Sequence, residues 1–184
     1  READTAERQS LAADTAMTLL DKSEHADEDH PYLARKGVAA HGIKAFGDNL
    51  LIPMRDTTGK VHSLQSIDPD GNKLFHPGGR VKGCYFGIGK PNGTLIVCEG
   101  FATGASVNMA TGQAVAVAFN AGNLEAVALA LRTKYPALKL VIAADDDHLT
   151  AGNPGMVKAT AAASAVGGLL ATPTFPAGRG DKDT

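Results

Sequence analysis

From residue 94 onward, short apolar runs alternate with stretches of helical period, and two of the apolar runs end in acid. Runs at 94–98, 114–119 and 138–144 read as strands. Segments near 101–111, 123–134 and 155–166 read as helices, and a last short strand is expected at 169–172 after Gly167-Gly168. Strands that alternate with helices imply a parallel α/β sheet, because a parallel neighbour is reached only through a long crossover. In such a sheet, ligands bind at the carboxyl ends of the strands. Two acidic ends lie there: Glu99-Gly100, after Leu95-Ile96-Val97-Cys98, and Asp145-Asp146-Asp147, after Leu140-Val141-Ile142-Ala143-Ala144. Bare clustered charge at a buried strand end is costly, so such acids usually hold a metal ion or do chemistry.

Alone, Glu99 also reads as a charge at a helix N-terminus, and the triple Asp as a solvated loop or an N-cap. Together, at equivalent places in one alternating pattern, they favour a shared cation. On an extended segment Asp145 and Asp147 point one way and Asp146 the other. Glu99, Asp145 and Asp147 are therefore the expected metal ligands and catalytic acids, with Asp146 beside them. Hard carboxylate oxygens with no cysteine pair favour Mg²⁺ or Mn²⁺ over Zn²⁺. Gly100 lets backbone approach closely and opens the next helix, whose N-terminal amides favour anions.

The half before Pro91-Asn92-Gly93 follows a different period. Residues 3–22 read as a helix with Ala12, Ala16, Leu19 and Leu20 on one face. Pro31 is placed to open a short helix that Gly37 stops. Strands are expected at 50–54, 61–67, 73–75 and 84–88, joined by the turns Asp56-Thr57-Thr58-Gly59 and Asp68-Pro69-Asp70-Gly71-Asn72, as an antiparallel meander. The domains expected are an N-terminal helix over 1–24, a small basic region over 25–92 and an α/β domain over 93–184. The net charge of −2 conceals an uneven distribution. Residues 31–90 hold nine bases against four acids, a net +5. A basic segment beside an acidic metal cluster suits a polyanionic substrate, although scattered Lys and Arg also serve simply as a solvated face.

Composition excludes several classes. At 43% hydrophobic and 21% charged, the chain is expected to fold as a soluble protein. No run approaches the ~20 apolar residues of a membrane span. The two cysteines, Cys84 and Cys98, form no metal pair, and Cys98 lies within an apolar run, so a reducing cytoplasm is expected. Neither a phosphate-binding Gly-x-x-x-x-Gly-Lys-Ser/Thr loop nor a Gly-x-Ser-x-Gly elbow occurs. The polar end at 178–184 reads as a cut through a longer protein.

Hydrophobic strand, Glu-Gly, helix, hydrophobic strand and Asp-x-Asp, in that order, resemble the TOPRIM domain of bacterial-type primases, topoisomerases and some nucleases. The resemblance covers residues 93–184, with Glu99 on the domain's Glu and Asp145 and Asp147 on its Asp-x-Asp. Upstream, Leu51-Ile52-Pro53-Met54-Arg55-Asp56 with Gly59-Lys60-Val61, then Lys73-Leu74-Phe75-His76, then Lys82-Gly83-Cys84-Tyr85-Phe86-Gly87, resemble the basic subdomain of bacterial primases. That likeness implies template or nucleotide contacts from Lys73, Lys82, Arg80 and Gly100. It also implies a further acidic pair near the metals, Asp181 and Asp183. The segments Tyr32 to Gly37, Glu99 to Ser106 and Ala121 to Leu124 look most like plasmid- and phage-borne primases. Thr103 stands where cellular primases carry another Asp, Gln65 where they tend to carry a base, and no zinc-binding module is present.

The fold so implied is α/β: a TOPRIM-like, mostly parallel sheet flanked by helices, preceded by a small mixed α+β basic subdomain. The function implied is a DNA primase core, a nucleotidyltransferase making short primers in plasmid or phage replication or transfer. Its partners would be single-stranded DNA template, nucleoside triphosphates, and helicase or relaxase modules of the same system. Two other readings stay open: a TOPRIM nuclease or topoisomerase fragment, and a non-catalytic DNA-binding module of a larger relaxase or helicase.

Overall fold

In the computed structural model, which describes residues 2–147 and 149–174, the apolar stripe of the first segment lies on one face of helix α1 (Glu2–Asp21). Ala16 and Leu20 pack with Leu51, Val61 and Leu64, and Leu19 is partly buried against them. Ala12 and Ala13 are buried on the same helix, where small side chains let the helix approach the sheet closely. Full burial of one such leucine stabilises by about 1.5–3 kcal/mol.

The chain divides into two compact units, residues 1–86 and 87–184. In the first, α1 packs on a sheet with the order β1 (Glu24–His25), β2 (Lys44–Phe46), β3 (Asn49–Arg55), β4 (Val61–Ile67), β5 (Lys73–Phe75), antiparallel throughout. The strands β1 and β2 had no legible signal, since two- and three-residue strands show no alternation. Helix α2 (Pro31–Lys36) starts at Pro31, its first-turn amide of Tyr32 donating to Nδ1 of His30 at 3.2 Å. It ends at Gly37, whose left-handed φ of 64° costs glycine no strain. The expected fourth strand of the meander is corrected by the structure. Tyr85 bridges Arg55 by paired backbone hydrogen bonds of 2.8 and 3.0 Å, but β6 (Phe86–Ile88) lies at the edge of the second sheet.

The β3–β4 turn is organised by Asp56. Its Oδ1 accepts from the Thr58 amide at 2.9 Å, the Thr58 hydroxyl at 2.6 Å and the Lys60 amide at 3.2 Å. Its Oδ2 takes Nε2 of His62 at 2.7 Å. Burial alone would raise the pKa of this carboxyl, but the hydrogen bonds from Thr58, His62 and Lys60 outweigh burial and hold it well below the usual carboxylate range.

The second unit has a sheet with the order β10 (Leu169–Ala171), β9 (Lys139–Ala143), β7 (Thr94–Cys98), β8 (Ala114–Val117), β6, in which β10, β9, β7 and β8 are mutually parallel. Crossovers run through α3 (Phe101–Thr111), α4 (Leu124–Lys134) and α5 (Pro154–Ala165). The central strands are buried: β8 is wholly so, and β7 from Leu95 onward. Helix α3 sits tightly because of Gly104. A Cβ there would stand 2.8 Å from Cγ2 of Val117 and 3.0 Å from Sγ of Cys98. The α/β expectation from residue 94 onward is met, each strand and helix lying within two residues of its expected ends.

Two outcomes follow from these contacts. Gly104→Val overpacks the α3–sheet contact and is expected to lose about 1–3 kcal/mol in urea unfolding; wild-type stability would show that α3 can shift freely. Asp56 is more acidic folded than unfolded, so its contribution is present above the ordinary carboxyl pKa of about 4 and declines as pH falls below it. Asp56→Asn is therefore expected to be clearly less stable than wild type at pH 7, with the gap narrowing at pH 3. A gap that is constant with pH would contradict the ionised hub.

Candidate functional site

Strands β7 and β9 are neighbours in parallel register, Val97 opposite Ile142, so the chain leaves both at the same edge of the sheet. Glu99 follows β7 directly and Asp145 follows β9 by two residues. Both side chains are half-buried. The charges of both acids act on one group, the buried Cys98 thiol. Burial pushes that thiol's pKa up first, and the negative charges of Asp145 and Glu99 push it further.

The backbone at Glu99 is held from the next strand. The amide of Phe119 donates to the Glu99 carbonyl, and that of Ala118 to the Cys98 carbonyl, each at 2.8 Å. To do this the chain beyond β8 bends at Phe119, a buried non-glycine residue with φ of 74°. Buried Asn123 steadies the bend by donating from Nδ2 to the Ala118 carbonyl at 2.9 Å. Gly100 is the N-cap of α3 and brings no capping side chain, so the amides of the first turn follow Glu99 without one.

The triple Asp is arranged differently from an extended strand. Residues 144–147 are irregular, so the alternation that would set Asp145 and Asp147 on one side does not apply. Oδ2 of Asp147 accepts the amide of Gly155 at 2.9 Å, in the first turn of α5. Asn153, the N-cap of α5, donates from Nδ2 to Oδ1 of Asp146 at 2.6 Å. Its Oδ1 accepts the amides of Asp147 at 3.0 Å and Met156 at 3.4 Å. Gly155 has to be glycine for this: a Cβ would lie 2.6 Å from the Asp145 carbonyl oxygen and 2.8 Å from Oδ2 of Asp147.

Among the described residues, no three His, Cys, Asp or Glu side chains form a group that could hold a metal ion by themselves. Two carboxylates are nonetheless a fitting set for Mg²⁺, which keeps several waters and takes substrate phosphates rather than an all-protein cage. Glu99 and Asp145 are the two acids that β7 and β9 deliver to one edge of the sheet. Asp181 and Asp183 lie outside the described residues, as does His148.

The expected basic contacts belong to the first unit. Lys73, on edge strand β5, and Lys82 are exposed. Arg80 is partly exposed: its Nη2 lies 3.6 Å from Oδ2 of Asp56, and its Nε is buried. The residues that sequence reasoning missed are Phe119, Asn123, Asn153 and Gly155. Asn153-Pro154-Gly155 was legible as a helix start, but its bonds back to the acids depend on how a ten-residue loop closes. For Phe119 there was no signal.

Comparison with known proteins places this geometry. Residues 94–183 match the family model described as "Toprim domain". The chain is 36% identical to a DNA primase TraC of Escherichia coli over an alignment of 208 residues, covering 95% of this chain and 20% of that protein. It is 41% identical over 161 residues to a second DNA primase TraC of Escherichia coli, covering 81% of this chain and 11% of that protein. The chain thus spans a fifth or less of the length of these relatives. Among solved structures, the primase fragment of the bacteriophage T7 primase-helicase protein superposes with a TM-score of 0.58 at 18% identity, over 78% of this chain and 64% of that one. The DnaG primase catalytic domain bound to ssDNA gives a TM-score of 0.58 at 13% identity, over 96% of this chain and 74% of that one. At such identities these two structures speak to the fold, and the fold they share is the mixed α/β arrangement seen here. With its acids at the carboxyl edge of a parallel sheet and its match over 94–183, the second unit belongs to the Toprim domain family.

Proposed function

We propose that this chain is the catalytic core of a DNA primase of a plasmid or phage replication or transfer system. The observation that carries this reading is the alignment with DNA primase TraC across 95% of the chain, basic unit and Toprim unit alike. The placement of Glu99 and Asp145 supports it. Toprim primase domains are generally metal-dependent. In this reading Glu99 and Asp145 hold Mg²⁺ or Mn²⁺, and Asp147, fixed by the Gly155 amide, stands next to them. The cation, when bound, neutralises phosphate charge and orients the in-line attack of a primer 3′-hydroxyl on a nucleoside triphosphate.

The chain's own groups do the rest. Phe119, through its amide, fixes the Glu99 backbone so that the carboxylate is presented without reorganisation. Amides at the start of α3 favour the anionic phosphates. Exposed Lys73 and Lys82 neutralise template backbone phosphates, joined by Arg80, which is partly exposed beside Asp56. The activity would run in the cytoplasm, on single-stranded template, beside helicase or relaxase modules. No helix among the described residues is long and apolar enough to cross a membrane.

Two measurements test this. Primer synthesis on single-stranded template with Mg²⁺ is expected to fall by at least about a hundredfold in Glu99→Gln, the size of effect seen when one preorganised electrostatic group is removed. Equal synthesis by wild type and variant would overturn the assignment. Lys73→Ala and Lys82→Ala are each expected to flatten the salt dependence of single-strand binding, reducing the slope of log K against log salt by about 0.7. An unchanged slope would remove those lysines from the template path.

A further inference from the structure

The loop that carries Asp145, Asp146 and Asp147 is a ten-residue connection between β9 and α5, and clustered carboxylates in such a loop repel one another. One side chain in it bonds to two of the three acidic residues. Asn153 uses both of its polar atoms toward the acids: Nδ2 donates to Oδ1 of Asp146 at 2.6 Å, and Oδ1 accepts the Asp147 amide at 3.0 Å. The same Oδ1 caps α5 at the Met156 amide, and Gly155 next to it donates to the Asp147 carboxylate at 2.9 Å. Asn153 reaches this geometry from a left-handed backbone, φ 43° and ψ 67°, a conformation that asparagine tolerates better than other side chains. An ordinary N-cap needs only an oxygen acceptor toward its own helix. The donor toward Asp146 and the acceptance from Asp147 lie outside that need.

We infer that Asn153 is a positioning residue for the acidic loop, and that through Asp146 and Asp147 it sets where Asp145 stands relative to Glu99. The inference rests on the reading of this site as one that holds a divalent cation. Groups that orient metal ligands from behind typically change metal affinity by about 10- to 100-fold when removed. Asn153 is predicted to act in this way, upon affinity and not upon the helix alone.

The test uses two variants of the whole chain. Asn153→Gly keeps the left-handed backbone and, as an N-cap, costs little stability, so the protein stays folded by circular dichroism. Asn153→Ser keeps a capping oxygen but has no donor that reaches Asp146. Both are expected to bind Mn²⁺ at least about tenfold more weakly than wild type by calorimetry, with unchanged stoichiometry. Both should also need correspondingly more metal for half-maximal primer synthesis, with kcat recovering at saturating metal. A purely structural role would lower the number of folded sites and leave the affinity of those that remain. Wild-type affinity in both variants overturns the inference while leaving the functional reading intact. Wild-type affinity in the Ser variant alone reduces Asn153 to a helix cap and also overturns it. A wild type that binds no Mn²⁺ overturns the functional reading, and the inference with it.

Discussion

The parallel pairing of β7 with β9, Thr94 opposite Lys139 through Val97 opposite Ile142, is the contact on which the rest of the site depends. A parallel register makes both strands run out at one edge. An antiparallel pairing of the same two runs would send Glu99 and Asp145 to opposite ends of the sheet. That register is in turn enforced by burial. Leu95, Val97, Leu140 and Ile142 are nearly inaccessible, and a one-residue slip would turn each of them to the other face. The position of two half-buried carboxylates is thus a consequence of apolar packing several residues away.

Such an arrangement has an electrostatic cost that the surrounding backbone offsets. Asp147 accepts from an amide in the first turn of α5, where the helix dipole also favours a negative charge. Asp146 is met by the Asn153 amide group. At Glu99 the backbone is held by Phe119 in a left-handed bend, a conformation a bulky residue keeps only where its surroundings demand it. Gly155 and Gly104 allow the two helices to approach this edge, one beside the acids and one beside Cys98. The glycines and the bend serve one end: bringing backbone donors and helix starts up to a carboxylate edge.

How much of this could be read in the sequence varies with the range of the interaction responsible. Strands 94–98 and 61–67 and helix 101–111 were expected at the ends they have, because burial periodicity and cap residues are local signals. The placement of Glu99 and Asp145 at one edge also followed from the alternating pattern. What was not legible depended on pairing across the fold. The strand at 84–88 looked like one more meander strand, yet β6 joins the second sheet. Arg80 read as a template or phosphate contact, and its pairing with Asp56, 24 positions away across a hairpin, had no local signal. The alternation argument for Asp145 and Asp147 presumed that the strand continues, whereas β9 ends at Ala143 and the acids sit in irregular chain.

The central claim is that Glu99 and Asp145 together hold a divalent cation at this edge. Calorimetric titration of Mn²⁺ into wild type and into the Glu99→Gln, Asp145→Asn double variant, with both shown to be folded, tests it without presuming a substrate. The account predicts a saturable isotherm for wild type and no binding heat for the double variant. Retention of wild-type affinity by the double variant would contradict it.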